Sequence, residues 1–170
     1  ITFKISKKPP PGVPKRDIYL IRAYEYPEEW EGLSQAEKHD RLLGLRLKLQ
    51  DLGREKKDMI IFSFWPDTIM IKEIGDPMTV GKYLELDNTR LKARVIMAQG
   101  RQNTNYAIDL YACHPFFIQG FSTMTNGENT AFVPIKEYLM SRGVNGYTGF
   151  YSDSEVFVHI LHYITTRLGL

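Results

Sequence analysis

Thr125-Asn126-Gly127-Glu128 follows an apolar run and contains the two residue types that most readily reverse a chain. Asn and Gly both tolerate positive φ, so a plain β-turn is the default reading of the tetrapeptide. Around it stand side chains able to grip a small polar molecule. Arg101 and Thr104 form an Arg-x-x-Thr pattern; the guanidinium fork suits a carboxylate and the hydroxyl adds a second donor. Taken alone, Arg101 reads as half of a surface ion pair. Asp153 lies in Ser152-Asp153-Ser154-Glu155, just ahead of a helical apolar pattern. Its charge there would favour a helix N-terminus by roughly 0.3–1 kcal/mol. His159 and His162 share that helix at i, i+3; with no nearby Cys or third His, packing is the better reading than a metal site. Cys113 is the single cysteine and reads as a buried structural thiol.

The elements that must position these residues follow from periodicity and turn chemistry. Residues 1–6 alternate as a short strand, 7–14 form a Pro-rich loop, and 17–24 is a second strand. Residues 27–32 are a turn region, with Trp30 packing back on the body. Ser34-x-x-Glu37 predicts a capping box; Leu42, Leu45, Leu49 and Leu52 then recur at helical spacing, with Gly53 closing the helix and His39 on its polar side. Residues 59–65 and 68–74 read as a hairpin around Pro66-Asp67. Asp76-Pro77 caps a short helix to about Leu84. Residues 91–98 and 116–124 read as single strands, the second ending at the Asn-Gly turn. A helix over 134–142 is closed by Gly143, a short strand spans 147–151, and a second capping box, Ser152-x-x-Glu155, starts the last helix.

Composition bounds the class of molecule. The 170 residues are 43% hydrophobic and 25% charged, which suits one domain over 1–170 with a real core. The formal charge is +2 and the basic residues are dispersed apart from 4–16. A nucleic-acid partner would need a concentrated basic face, so none is expected. No run approaches the roughly 18 apolar residues of a membrane span, and no signal-peptide pattern opens the chain, so no membrane partner is expected. A lone cysteine agrees with a reducing compartment, and a cytoplasmic location is the expectation.

In order, Arg101-x-x-Thr104, His114-Pro115-Phe116, Asn126-Gly127-Glu128 and Ser152-Asp153-Ser154-Glu155 resemble the glutaminase domain of class II (N-terminal-nucleophile) amidotransferases, especially the glutamate synthase branch. The resemblance runs from about Met59 to Leu170, includes Gly75-Asp76-Pro77, and is thin before Met59. It implies an α+β fold, the four-layer αββα sandwich, of which this chain looks like a part. It implies that Arg101 and Thr104 hold the α-carboxylate of glutamine and that Asp153 binds its α-ammonium. Asn126 (side-chain amide) and Gly127 (backbone N–H) would form the oxyanion hole. Loss of one such donor typically costs about 3–4 kcal/mol of transition-state stabilisation. Glu128 completes the motif and joins the substrate-binding set, and His114 lines the pocket as framework. Glutamine is the implied ligand and a synthase domain or subunit receiving ammonia the implied partner; no cofactor and no metal are implied.

Three departures from the family pattern stand out. Thr125 stands where the family often has His, and Ala98-Gln99-Gly100 replaces the usual Gly-His-Thr before Arg101. Residue 1 is Ile, where the family carries a nucleophilic Cys whose own α-amine serves as base. Cys113 lies inside the chain and cannot inherit that role. A Cys preceding Ile1 in the full gene product would make the protein a glutaminase. Any other residue there would favour a pseudo-amidotransferase, a glutamine-sensing or scaffolding subunit. An unrelated binding module sharing the motifs is the third reading. The family geometry further expects Asn126 and Gly127 at a strand end, converging on one point beside the strand that begins at Ile1.

Overall fold

The computed structural model describes residues 2–5, 8–15, 19–100 and 109–170. Among them the fold is α+β: four α-helices and two separate two-stranded antiparallel sheets. The first sheet pairs β1 (Thr2–Ile5) with β2 (Tyr19–Arg22), in the two regions whose alternation suggests strands. A 3-10 turn at Glu28–Trp30 buries Trp30, which stacks on Tyr26 and lies beneath the Arg41 guanidinium.

Helix α1 (Gln35–Lys56) starts at the expected capping box: Ser34 Oγ accepts the Glu37 N–H, and the Glu37 carboxylate accepts the Ser34 N–H at 2.8 Å. It does not stop at Gly53. Lys57, at φ 57°, terminates it and bonds back to the Gly53 carbonyl at 2.8 Å. Gly53 answers a different need, since a Cβ there would lie 2.4 Å from the Met59 carbonyl oxygen. Only glycine lets the chain recross the helix end so closely. The inward stripe also differs from the expected leucine row. Leu42, Arg46 and Gly53 are buried, whereas Leu45 and Leu52 are 40% and 39% exposed. Steps of four and seven keep 42, 46 and 53 on one face, and that face looks onto a partly polar cavity.

After α1 the expected hairpin over 59–74 does not form a ladder. The turn at Pro66-Asp67 is present, but neither flank is a strand. The Met70 N–H donates to Ser63 Oγ at 3.0 Å, so a side chain takes a backbone donor that a ladder would need. Both flanks instead contribute to the cavity wall. Helix α2 (Pro77–Tyr83) is capped as expected, Asp76 accepting the Thr79 N–H at 2.9 Å. The expected strand over 91–98 is also absent. Val95 and Ile96 are 72% and 80% exposed, and no strand pairs with this segment among the described residues. Alternation alone does not make a strand where nothing accepts its ladder.

The run over 116–124 is not one strand but a tight hairpin, β3 (Phe116–Ile118) and β4 (Phe121–Thr123). Its two-residue loop, Gln119-Gly120, has φ 45° and 83°, the double positive φ of a type I′ turn. Helix α3 (Phe132–Ser141) ends in a Schellman motif at Gly143, with Val144 N–H on the Leu139 carbonyl and Gly143 N–H on that of Met140. Leu139 and Val144 then pack with Tyr147 and Val156. Residues 147–151 are not a strand: Gly146 just before the segment and Gly149 within it, at φ 96° and 87°, break the extension. Helix α4 (Glu155–Arg167) lies against the hairpin through Val158, which joins Phe116 and Ile118 in a cluster completed by Leu43 and Phe121. Its expected capping box is absent. Ser154 is the N-cap but its side chain accepts no capping bond, and Glu155 turns inward.

Long ties close the assembly. Gln50 Nε2 and Arg54 Nη2 donate to the Tyr147 carbonyl at 3.1 and 2.9 Å, and Arg54 also reaches the Thr148 carbonyl. Gln119, at the hairpin tip, donates to the His39 carbonyl at 3.1 Å and bonds His162 through its side-chain oxygen.

Candidate functional site

Three of the four sequence motifs meet around one loop. His114 is buried edge-on to Phe116, and its Nε2 lies 3.0 Å from Thr125 Oγ1. Four residues further on, the Asn129 N–H donates to Asp153 Oδ2 at 2.8 Å, and its side-chain amide donates to the Asp153 carbonyl at 3.3 Å. Asn129 Oδ1 in turn accepts the Ala131 N–H at 3.1 Å, an Asx-type turn that leads into α3. The loop is therefore held at residue 125 by His114 and at residue 129 by Asp153.

Between those tethers Asn126, Gly127 and Glu128 are exposed, starting three residues beyond the end of β4. Gly127 has φ 139°, and a Cβ there would meet nothing within 4 Å, so the backbone on that side is open to an approaching group. Asp153 is buried, and its Oδ1 accepts the Ser154 hydroxyl at 3.0 Å. A carboxylate has about four lone-pair sites, so two protein bonds leave acceptor capacity for a cation. Arg101, Thr104 and Ile1 lie outside the described residues, and with them the carboxylate grip and the approach of the chain start to Asn126.

Cys113 is half-buried rather than buried. Its thiol donates to the Asp109 carbonyl at 3.0 Å, while its own carbonyl accepts Lys72 Nζ at 2.7 Å. His159 and His162 are both buried. His159 stacks on Tyr147 with ring centroids 3.7 Å apart. Burial holds His159 below its ordinary pKa despite the neighbouring Glu155 carboxylate. Burial, with His159 beside it, brings His162 down to about 4. Both rings are thus neutral near pH 7. Among the described residues, no group of three His, Cys, Asp or Glu side chains could hold a metal ion.

The chemistry the motifs did not announce lies under α1 and α4. Arg46, Lys72, Glu155 and His159 are 6%, 7%, 3% and 1% exposed, and all line a cavity of about 750 Å³. Glu155 accepts the Thr148 N–H at 2.6 Å and the Thr148 hydroxyl at 2.9 Å, and its Oε1 stands 3.8 Å from His159 Nε2. Lys72 Nζ sits 5.2 Å from the centre of the Phe116 ring. Burial lowers its pKa to about 8, against the opposing pull of Cys113 and Glu155. Burial also works against the Arg46 cation, with Glu155 opposing. Arg46 Nε and Nη1 are buried and have no hydrogen-bond partner among the described residues. One signal for this cluster was readable: Arg46 is a charge four residues from Leu42 on an otherwise apolar helical face. Lys72 offered less, as one cation inside an apolar run, and Glu155 was legible only as a capping residue.

No protein-family model, curated protein or solved structure matches the chain. Among the described residues, no helix is long and apolar enough to cross a membrane.

Proposed function

We propose that this chain carries the glutamine-binding loop of a glutamate synthase-like, class II amidotransferase, and that the complete protein releases ammonia from glutamine for a synthase domain or subunit. The observation that supports the reading is the double tether of the Asn126-Gly127-Glu128 loop, to His114 through Thr125 and to Asp153 through Asn129. Acyl transfer from glutamine needs donors for the tetrahedral oxyanion and groups that fix the amino-acid end of the substrate. On this reading the Asn126 amide and Gly127 N–H stabilise the oxyanion, and Asp153 holds the α-ammonium. Arg101 and Thr104 hold the α-carboxylate, and an N-terminal Cys preceding Ile1 in the full gene product attacks the amide carbon. Ammonia leaves as a thioester forms, and water then cleaves the thioester to glutamate. The reading carries with it the four-layer αββα sandwich as the complete fold, with the β3–β4 hairpin and α4 as one sheet–helix pair.

Calorimetric titration tests it with two ligands that differ only in the α-ammonium. Asp153→Asn is expected to weaken L-glutamine binding about tenfold, since an ion pair to a buried carboxylate is lost. Glutaramate, the same molecule without its α-ammonium and therefore a net anion, is expected to lose no affinity in the variant. Equal affinity of wild type and Asp153→Asn for L-glutamine removes Asp153 from the site. Equal loss for both ligands shows that Asp153 acts only on the shape of the loop, and overturns its assigned role.

A further inference from the structure

The cavity beneath α1 and α4 is unrelated to the exposed loop in its lining and in its chemistry. Its volume of about 750 Å³ falls within the roughly 300–1,000 Å³ of small-molecule sites. Part of the lining is apolar and aromatic, with Met59, Ile61, Phe62, Met70, Phe117 and Phe150. The lining also carries Arg46 and Lys72 as two cations with the Glu155 carboxylate, and Glu155 already spends both oxygens on Thr148. Lys15, Arg54 and Lys57 add positive charge among the lining residues, opposed by Asp58. Arg46 is 6% exposed, and a guanidinium whose Nε and Nη1 are buried and unpartnered among the described residues is a costly group to bury without an acceptor. Those two nitrogens belong to a planar fork that pairs with carboxylate or phosphate oxygens.

We infer that this cavity is a binding site for a small organic anion, a carboxylate or phosphate monoester carried on an apolar body, with Arg46 as its principal anchor. Lys72 supplies a second positive charge, and the aromatic and aliphatic lining takes the body of the ligand. Glu155 limits the excess positive charge and sets the affinity below that of an all-cation pocket. The inference stands apart from the glutamine reading, because neither Asn126 nor Asp153 lines the cavity.

The test is calorimetric titration of the whole chain at pH 7 with phenyl phosphate, benzoate and inorganic phosphate. At least one phenyl anion is expected to bind at one site per chain, and the tighter of the two identifies the head group. Inorganic phosphate is expected to bind about tenfold more weakly, for want of apolar contact. Arg46→Met is expected to reduce phenyl-anion affinity by about tenfold or more, and Arg46→Lys by less, since it keeps the charge and loses the fork. Glu155→Gln, which keeps an acceptor for Thr148, is expected to tighten binding. L-Glutamine affinity is expected to be unchanged by Arg46→Met. Raising the pH from 7 to 9 should weaken benzoate binding as Lys72, faced by Arg46, Glu155, His159, Asp109 and Cys113, loses its proton. Failure of both phenyl anions to bind, or undiminished affinity in both Arg46 variants, overturns the assignment. Inorganic phosphate binding as tightly as phenyl phosphate overturns the part given to the apolar lining.

Discussion

Glu155→Ala is expected to destabilise the folded chain by about 3–5 kcal/mol, the usual cost of removing one partner from a buried charge cluster. Glu155 is 3% exposed and, among the described residues, is one of two carboxylates lining the cavity with Arg46 and Lys72, the other being Asp58. Its removal leaves two buried cations facing each other in a region of weak screening. It also strips the Thr148 N–H and hydroxyl of their acceptor. Urea denaturation followed by far-ultraviolet circular dichroism gives the difference directly. The same measurement on Arg46→Met/Glu155→Ala separates charge from shape, because the double variant removes a buried cation together with its counter-ion. It is expected to recover a substantial part of the loss. Loss below about 1 kcal/mol in the single variant, the range of an exposed ion pair, would show that water reaches and screens the cluster.

Phe116→Ala should cost a similar amount, about 3–5 kcal/mol, for a different reason. The ring is 2% exposed and packs with Ile118 and Val158 where the hairpin meets α4. It also meets the edge of His114 and lies beneath the Lys72 ammonium. Truncation opens a hole that hairpin and helix cannot both move to fill, since the hairpin tip is fixed to α1 and α4 through Gln119. Phe116→Leu keeps most of the volume and is expected to cost distinctly less, which distinguishes packing from the loss of a ring beneath a cation. The check is the urea midpoint of the two variants at equal slope.

Local signals with a complete stereochemical rule were legible in the sequence. Ser34-x-x-Glu37, Asp76-Pro77 and Gly143 each fixed a helix boundary, because a cap depends only on neighbouring residues. Signals that require a distant partner misled. The alternation at 91–98 found no strand to pair with among the described residues, and that at 59–74 gave way to Ser63 and to the cavity. Gly53 looked like a helix stop and instead admits the Met59 carbonyl. Ser152-x-x-Glu155 looked like a cap, but a carboxylate that meets Thr148 and His159 inside the fold has a stronger claim on Glu155. For the candidate site, the order of the motifs anticipated that His114, the Asn-Gly-Glu loop and Asp153 share one place. The His114–Thr125 and Asn129–Asp153 bonds that join them were not foreseeable, since Thr125 was noted only as a departure from the family pattern and Asn129 lies outside the motifs. Arg46 was legible only as a lone charge on the apolar face of α1.

Four of the long ties share a one-sided form. Gln50 and Arg54 reach the Tyr147 carbonyl, Lys72 reaches that of Cys113, and Gln119 reaches that of His39. In each the donor is a side chain and the acceptor is backbone. Every residue type presents a carbonyl, so the accepting positions keep their half of the bond whatever side chain they carry. The donating positions hold theirs only while a long, hydrogen-bearing side chain remains. Heritable variation is therefore filtered unequally across each contact. His39 and Cys113 are free to drift as far as these bonds are concerned, whereas Gln50, Arg54, Lys72 and Gln119 are not. A library of single substitutions sorted for folded protein would record this as an asymmetry between the two ends of one bond. Pairwise covariation would miss these ties, because an acceptor that never changes its chemistry has nothing with which to covary.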